Sequence, residues 1–545
     1  MRRAVLVACR ELMSRASTPL TQWLTKREGY VTVLGAVILA LAIFGDRLGG
    51  DFVWDDVPLV AKNPALVEPG GLMRLLTRDL WGSAGQPSTQ LYHPLPMASL
   101  WLGARIHGVS LAWFRFGNVM LHVTCALLLV ALVRRVGLPR LSALLTGSMF
   151  LAHPLVTEPV MWLTGRHDTL AALFGLLALL AYPMPEATRR ALRLVLCGLA
   201  SAAAFASKEP YVVVPALVVG LSLLEGSRGQ VGWRLALSWL APLSGVAAIF
   251  ALRRLLGIPS GSQQLGAPPS EHLLNYAAIV RHYATLALTF AQAPTISSFK
   301  PISGALAGAW LAGSAVGCLA LARVRDSHAG KAALFGIAWF FLALAPHVLS
   351  LPILGVWGNR YGYFPLMGLA LALAAGLAAI EARGGMAQKA ARALPAVATL
   401  FGLLSTRQAA AAFHDDLALY EASVRADPDD GRALYHLAHA VRTRQGCAGA
   451  IELLVRAVER APSYARAQRN VAGCWLNLGQ PARALPAAER AVQLEPQVAS
   501  HRYNLGAALL GTGARERGIE QLRTALRLDP THTPSRRLLA SIGKP

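Results

Sequence analysis

The chain has 545 residues, of which 54% are hydrophobic and only 15% charged, with a mean hydropathy of +0.44. Soluble domains carry about 25% charged residues, so the composition excludes a simple soluble globule and implies a polytopic membrane protein with length left for a soluble domain. Most of the basic residues behind the net charge of +23 are Arg, and many sit in short loops between apolar segments, the pattern of the positive-inside rule, while no basic patch interleaved with aromatics points to nucleic acid.

Residues 1–30 read as a basic cytoplasmic N-terminus. They are too long and polar for a signal peptide, and no A-x-A site follows the next apolar run, so that run reads as an uncleaved anchor. A membrane-crossing helix needs about 20 apolar residues. Candidates lie near 30–45, 114–133, 141–159, 168–182, 190–206, 211–225, 235–252, 303–322, 332–349, 361–380 and 393–406. With Arg2, Arg3, Arg10, Arg15, Lys26 and Arg27 inside, the basic loops at Arg134/Arg135/Arg140, Arg189/Arg190/Arg193, Arg228/Arg234, Arg323/Arg325/Lys331 and Arg383/Lys389/Arg392 also fall inside. This register closes with about eleven spans if the further apolar run 273–290 lies in the interface or re-enters. It makes 31–410 the membrane domain of an integral inner- or plasma-membrane protein, with the first outer loop, 45–113, and the C-terminus on the outer side.

The tail, 411–545, differs in kind. Pro428, Pro462, Pro496 and Pro530 recur every 34 residues, the tetratricopeptide (TPR) period. Small and large positions recur in phase: Leu434, Leu437, Ala438, Ala450, Leu454 and Ala457; then Val471, Ala472, Trp475, Ala484 and Ala491; then Leu505, Gly506, Leu509, Leu522 and Ala525. The repeats read as 431–464, 465–498 and 499–532, preceded by an extra helix over 415–427. The fold class is all-α, a helical membrane domain followed by an α-solenoid. Such solenoids supply docking surfaces. Of the six cysteines, Cys125, Cys197 and Cys318 sit in apolar stretches, and Cys447 and Cys474 in the repeats read as isolated buried thiols, with a disulfide between them in an oxidising compartment as the alternative.

Five polar clusters fall on the expected outer side. They are Asp55/Asp56, Tyr92-His93-Pro94, His153 with Glu158 and Arg166/His167/Asp168, Lys208-Glu209, and Asn359-Arg360-Tyr361. Bare connectors do not need so many ionisable groups. A site that holds a lipid phosphate and activates a hydroxyl does: cations bind the phosphate by charge-assisted hydrogen bonds, and one carboxylate accepts the hydroxyl proton. Each cluster also has a plain structural reading. Asp55 and Asp56 would be a solvated loop tip or a helix cap, Glu158 a partner for Arg166 or His153, Arg166 and Asp168 a local ion pair, and Lys208 a snorkelling side chain. The scattered Met and Trp read as core or interface residues.

The runs FVWDDVPLVAKNP, YHPLPMASLWL, FGNVMLHVTCALLLVALVRRV, FLAHPLVTEPVMWLTGRHDTLAALFGLLALLAY, SKEP and NRYGYFP resemble the transmembrane-and-tetratricopeptide-repeat O-mannosyltransferases and their bacterial relatives. The resemblance covers most of 50–210, a patch near 355–370 and the repeats. It implies the GT-C fold and transfer of a sugar from a polyprenyl-phosphate carrier to an acceptor hydroxyl, on protein or glycan, on the outer side of the membrane. Asp55 and Asp56 match the family's acidic pair. His93-Pro94 stands where the family commonly has Arg-Pro, and Asn359-Arg360-Tyr361 where it commonly has Glu-Arg-Tyr. The expected catalytic residues are Asp55, Asp56 and Glu158. Donor-phosphate or substrate contacts are expected at Tyr92, His93, His153, Arg166, Asp168, Lys208, Glu209, Arg360 and Tyr361. A divalent metal on Asp55 and Asp56 stays open. The alternatives are a membrane-anchored TPR scaffold without catalysis and a lipid-linked sugar transporter.

Overall fold

The computed structural model describes residues 27–88, 90–183, 189–225, 232–258, 269–291, 297–299, 302–322, 327–349 and 356–542. The N-terminal cations from Arg2 to Lys26, and Arg228, Arg323 and Arg325, lie outside the described residues. The chain folds as two compact units. The first holds the membrane helices through His414. The second holds Asp415–Pro545 together with the short pieces Pro294–Phe299 and Gly355–Gly358.

The longer helices of the first unit run in chain order as α1 (Arg27–Phe44), α2 (Pro94–His107), α3 (Leu111–Arg135), α4 (Arg140–Leu151), α5 (Arg166–Ala181), α6 (Arg190–Ser207) and α7 (Val214–Leu224). Then come α8 (Gly232–Leu255), α9 (Pro269–Thr289), α10 (Gly304–Ala322), α11 (His328–Leu344), α12 (Tyr363–Glu381) and α13 (Gly385–Ala411). Ten of the eleven expected spans fall on one of these helices, and 141–159 does so only as far as Leu151. Five stretches, Glu28–Arg47, Leu111–Arg135, Arg190–Ser207, His328–Leu349 and Asn359–Glu381, are long and apolar enough to cross a membrane, and the chain is an integral membrane protein. Rows of leucine and valine stay exposed on their outer flanks, for example Val31, Leu34 and Ile38 on α1 and Leu192, Val195 and Leu199 on α6. Such a surface suits lipid and not water.

The reading of 141–159 as one span is corrected. α4 stops at Leu151, because Pro154 and Pro159 follow, and residues 154–165 fold into short turns. Between α11 and α12, a Cβ on either Gly336 or Gly368 would lie 2.5 Å from the other's carbonyl oxygen. Only glycine lets the two backbones approach so closely, as in other membrane bundles.

Hydrogen bonds tie the helix ends into two sets. At one end Arg135 donates to Glu225 and to the carbonyls of Leu179 and Leu180, His328 meets the Val136 carbonyl, and Arg140 meets Glu28. The other end gathers the polar clusters. α9 meets this second set: Tyr276 donates to the Phe341 carbonyl, Tyr283 lies against Gly362, and the Ala287 carbonyl meets His153.

In the second unit α14 (Asp416–Ala426) precedes the repeats. α15 (Gly431–Arg460) holds two helices joined at Gly446, whose φ of 70° is left-handed and costs little without a Cβ. α16 (Ala465–Asn477), α17 (Pro481–Leu494), α18 (Ala499–Gly511), α19 (Arg515–Leu528) and α20 (Thr533–Ile542) follow. Leu434, Ala438, Ala450, Leu454, Val471, Ala472, Ala484, Leu505 and Leu509 form one apolar core. Two short strands, β1 (Ser297–Ser298) and β2 (Val356–Trp357), pair antiparallel. Ser298 is held by Asp430, the cap of α15. The expectation of isolated thiols is corrected: Cys447 and Cys474 are disulfide-bonded, their Cα atoms 5.1 Å apart.

Candidate functional site

The site is built from the turn after α1, the start of α2, the turns between α4 and α5, the end of α6 and the turn before α12. Trp54 adopts a left-handed φ of 50° and turns the next two carboxylates apart. Asp56 points inward and is fully buried. Its oxygens accept the backbone N–H groups of Leu163 (3.2 Å) and Thr164 (3.1 Å). Burial pushes its carboxyl up to about 8, against the opposing pull of those N–H groups and of Arg115. Asp55 stays part-exposed, and among the described residues its carboxylate has no hydrogen-bonding partner. Burial pushes it up to about 6, and Arg360 draws it back.

Two ion pairs stand beside it. Fully buried Glu158 pairs with Arg360 and also accepts the Asn359 N–H at 2.6 Å. The structural reading that paired Glu158 with Arg166 or His153 is therefore corrected. Lys208 donates to both oxygens of Asp168 at 2.6 Å, and Tyr211 donates to the Asp168 carbonyl at 3.0 Å. Lys208 and Arg360 lie over the same Tyr361 ring, at 5.0 and 4.5 Å from its centroid. Arg360 also lies over Trp162 (4.9 Å), which stacks on Trp54 at 5.1 Å.

A third group forms around Glu209. Its oxygens meet His93 and the Tyr92 N–H (3.1 Å), and Arg253 approaches at 3.4 Å. The His93 ring lies 4.8 Å from that of His167. The Tyr92 hydroxyl donates to the Leu76 carbonyl.

Two candidates are used elsewhere. His153 has both ring nitrogens engaged, with the Ala287 carbonyl and the Leu155 N–H, so it caps a turn and is not free for substrate. Arg166 does not pair with Asp168; it donates to Asn118 Oδ1 (2.7 Å) and to the Phe114 carbonyl (2.8 Å). Each Asp56 oxygen accepts one backbone N–H, which leaves a further lone pair on each. Among the described residues no group of three or more His, Cys, Asp and Glu stands at metal-binding spacing.

Sequence reasoning misses Trp54, Trp162, Arg253 and Arg115. The tryptophans read as interface residues in the sequence, and the adjacency of Trp54 to the acidic pair is the available signal. Arg115 is buried and donates to the carbonyls of Gly49, Met161 and Phe413, which ties the loop after α1 to the end of α13. Nothing in the sequence near Arg115 announces that role.

No family model matches the chain. It is 37% identical over 164 residues to the mouse protein O-mannosyl-transferase TMTC1, which covers 29% of this chain and 17% of the mouse protein. It is 33% identical over 190 residues to Drosophila melanogaster Tmtc1, 34% of this chain and 22% of that protein. Among solved structures, ArnT from Cupriavidus metallidurans aligns over 90% of this chain and 85% of its own, at 16% identity and a TM-score of 0.42. The TPR protein YrrB aligns over 31% of this chain and 82% of its own, at 22% identity and a TM-score of 0.21. The chain spans less than a quarter of the length of these curated relatives. Over that aligned stretch, the chain resembles the protein O-mannosyl-transferases of animals.

Proposed function

We propose that the chain is a membrane glycosyltransferase that moves a sugar from a polyprenyl-phosphate carrier to an acceptor hydroxyl on the outer side of the membrane, with Asp55 as the base. The observation that carries this reading is the contrast between two neighbouring carboxylates. Asp56 is spent on two backbone N–H groups, while Asp55 is open, has no hydrogen-bonding partner among the described residues and is tuned to about 6. A general base works best with a pKa near the operating pH.

In the proposed step Asp55 takes the acceptor's hydroxyl proton. The hydroxyl oxygen bonds to the anomeric carbon as the bond from that carbon to the phosphate oxygen breaks, and the phosphate leaves with the electron pair. The transition state has oxocarbenium character. Arg360 and Lys208 face the departing phosphate, held ready by Glu158 and Asp168. Asp56 positions the loop that carries Asp55. The similarity to O-mannosyl-transferases makes protein Ser and Thr hydroxyls the first acceptors to test. The one-ended cluster weighs against a transporter, whose ionisable groups gather near mid-membrane. It also weighs against a bare scaffold, which has no use for an open carboxylate beside paired cations.

In the eleven-span register proposed here, α9 lies along the outer face, the active-site turns and the repeats are outside, and the N-terminus is inside. The test is mass spectrometry of outer-face proteins and glycolipids from cells with and without this chain, followed by reconstituted transfer from a panel of polyprenyl-phosphate sugars. An O-linked sugar that disappears with the chain supports the reading. An unchanged glycome and no transfer from any donor overturn it.

A further inference from the structure

The first helices of the three repeats are the first half of α15, then α16 and α18. Together they carry Arg432, Arg442, Arg444, Arg466, Arg469 and Arg502 and no Asp or Glu. The repeats' acidic residues sit on the second helices or in linkers. Successive first helices adjoin: Tyr435 meets Tyr464 with ring centroids 5.0 Å apart, and Asn504 donates to the Arg469 carbonyl at 2.9 Å. They therefore form one row, as on the inner side of a curved stack. The 34-residue period repeats the row's chemistry. Arg432 is followed by Arg466, and Tyr435 by Arg469 and Tyr503.

Much of this charge is uncompensated. Among the described residues Arg442 and Arg466 make no ion pair, and the Arg469 guanidinium meets only the neutral Asn470 Oδ1, at 3.4 Å. Burial first, and then His439, Arg432 and Arg466, push His436 down to about 4, against Asp430. Arg444 is paired with Asp415 at 3.1 Å, and Asp430 is committed to the N–H groups of Arg432 and Ala433 and to Ser298. Asp416 acts on His439 alongside Arg442 and Arg469. Aromatic rings stand among the cations: Arg432 lies 5.2 Å over Tyr464, and Tyr420 stacks on His436.

We infer that this row docks an acidic peptide segment of a protein partner, through the pairing of its carboxylates with Arg442, Arg466 and Arg469. Adjacent packed helices lie about 8–10 Å apart, and three residues of polyproline II chain span about 9 Å. Arg442 on α15 and Arg469 on α16 both act on His439, so carboxylates about three residues apart on an extended peptide can meet both, with Arg466 one turn from Arg469 on the same helix. This goes beyond the transferase reading and does not depend on it, because docking needs no sugar donor.

The test uses the full-length chain in neutral detergent. A fluorescent twelve-residue peptide with Asp at every third position is compared, by anisotropy, with the same peptide carrying Asn. The Asp peptide should bind at least tenfold more tightly, and less so as salt rises. Arg442→Gln with Arg466→Gln should lose that tenfold while the melting temperature is unchanged. Arg517→Gln with Arg523→Gln, exposed on a second helix, should keep it. Equal binding of the two peptides overturns the proposal, and so does an equal loss in the second-helix variant. Preferential binding of a short oligonucleotide or of anionic vesicles, abolished by the Arg442/Arg466 pair, would reassign the row to that polyanion.

Discussion

Asn in place of Asp at position 55 and at position 56 should fail in opposite ways. At 55 the side chain makes no hydrogen bond among the described residues, so Asp55→Asn does not destabilise the fold, and above about pH 6 it relieves the cost of a desolvated charge. Its cost falls on the reaction. General-base assistance is worth about 10²–10⁴ in rate, or about 2.7–5.4 kcal/mol of barrier. At 56 both oxygens accept backbone N–H groups. An amide offers one acceptor and turns an NH₂ toward the other donor, so Asp56→Asn should cost about 1–3 kcal/mol of stability. The assay is transfer from the active polyprenyl-phosphate sugar in proteoliposomes, with melting temperature and donor binding measured on the same preparations. Parental transfer by Asp55→Asn would refute the assignment of the base. So would a hundredfold loss of transfer in Asp56→Asn with unchanged melting, because that would make Asp56 the reacting carboxylate.

The pH dependence has a definite sign. Asp55 is active when deprotonated, so transfer should rise through about pH 6, and a profile flat from pH 5 to 8 would contradict this. Asp56, raised to about 8 by burial, contributes stability that is fully present below its unfolded value near 4 and is lost as pH rises through about 8. Melting measured across that window should fall less steeply in Asp56→Asn than in the parent. Glu158→Gln leaves the Arg360 charge buried without its partner and should destabilise the first unit by about 3–5 kcal/mol; unchanged melting and donor affinity would show the pair to be dispensable. Cys447→Ser opens a loop of 27 residues' separation and should cost the repeats about 3–4 kcal/mol by the loop-entropy relation, so reductant should lower the parent's melting but not the variant's. A reporter active only in the cytoplasm, fused after Pro545, should stay silent, and strong activity would overturn the register.

The repeats were legible because each contact in a solenoid is local, and the period of 34 carries the core positions with it. The spans were legible for a similar reason, since apolar length is a local property. The pairing inside the site was not. Glu158 finds Arg360 across 202 residues, and Lys208 finds Asp168 across 40. Both choices depend on how distant helix ends and turns are brought together in three dimensions, which hydropathy does not encode. Asp55 and Asp56 look equivalent in sequence, and a single left-handed residue, Trp54, separates an open carboxylate from a buried anchor. Cys447 and Cys474 meet because one follows the break at Gly446 and the other lies on the next repeat's first helix, a proximity set by how consecutive repeats stack.

The pairing also bears on how the proposed reaction manages charge. Arg360 and Lys208 already have carboxylate partners, so the donor phosphate enters a site that is close to balanced. Transfer then moves one negative charge: Asp55 becomes neutral as it takes the acceptor's proton, and the departing phosphate gains the charge that Asp55 gives up. Arg360 acts on both ends of this exchange. It draws down the Asp55 carboxyl in the resting site, and it faces the phosphate in the proposed complex. A fixed cation beside both positions lets the charge move without the surrounding dipoles rearranging, which is the condition for efficient electrostatic stabilisation of a transition state. Glu158, itself bonded by the Asn359 N–H, holds that cation in place, so in the proposed reaction it acts through Arg360.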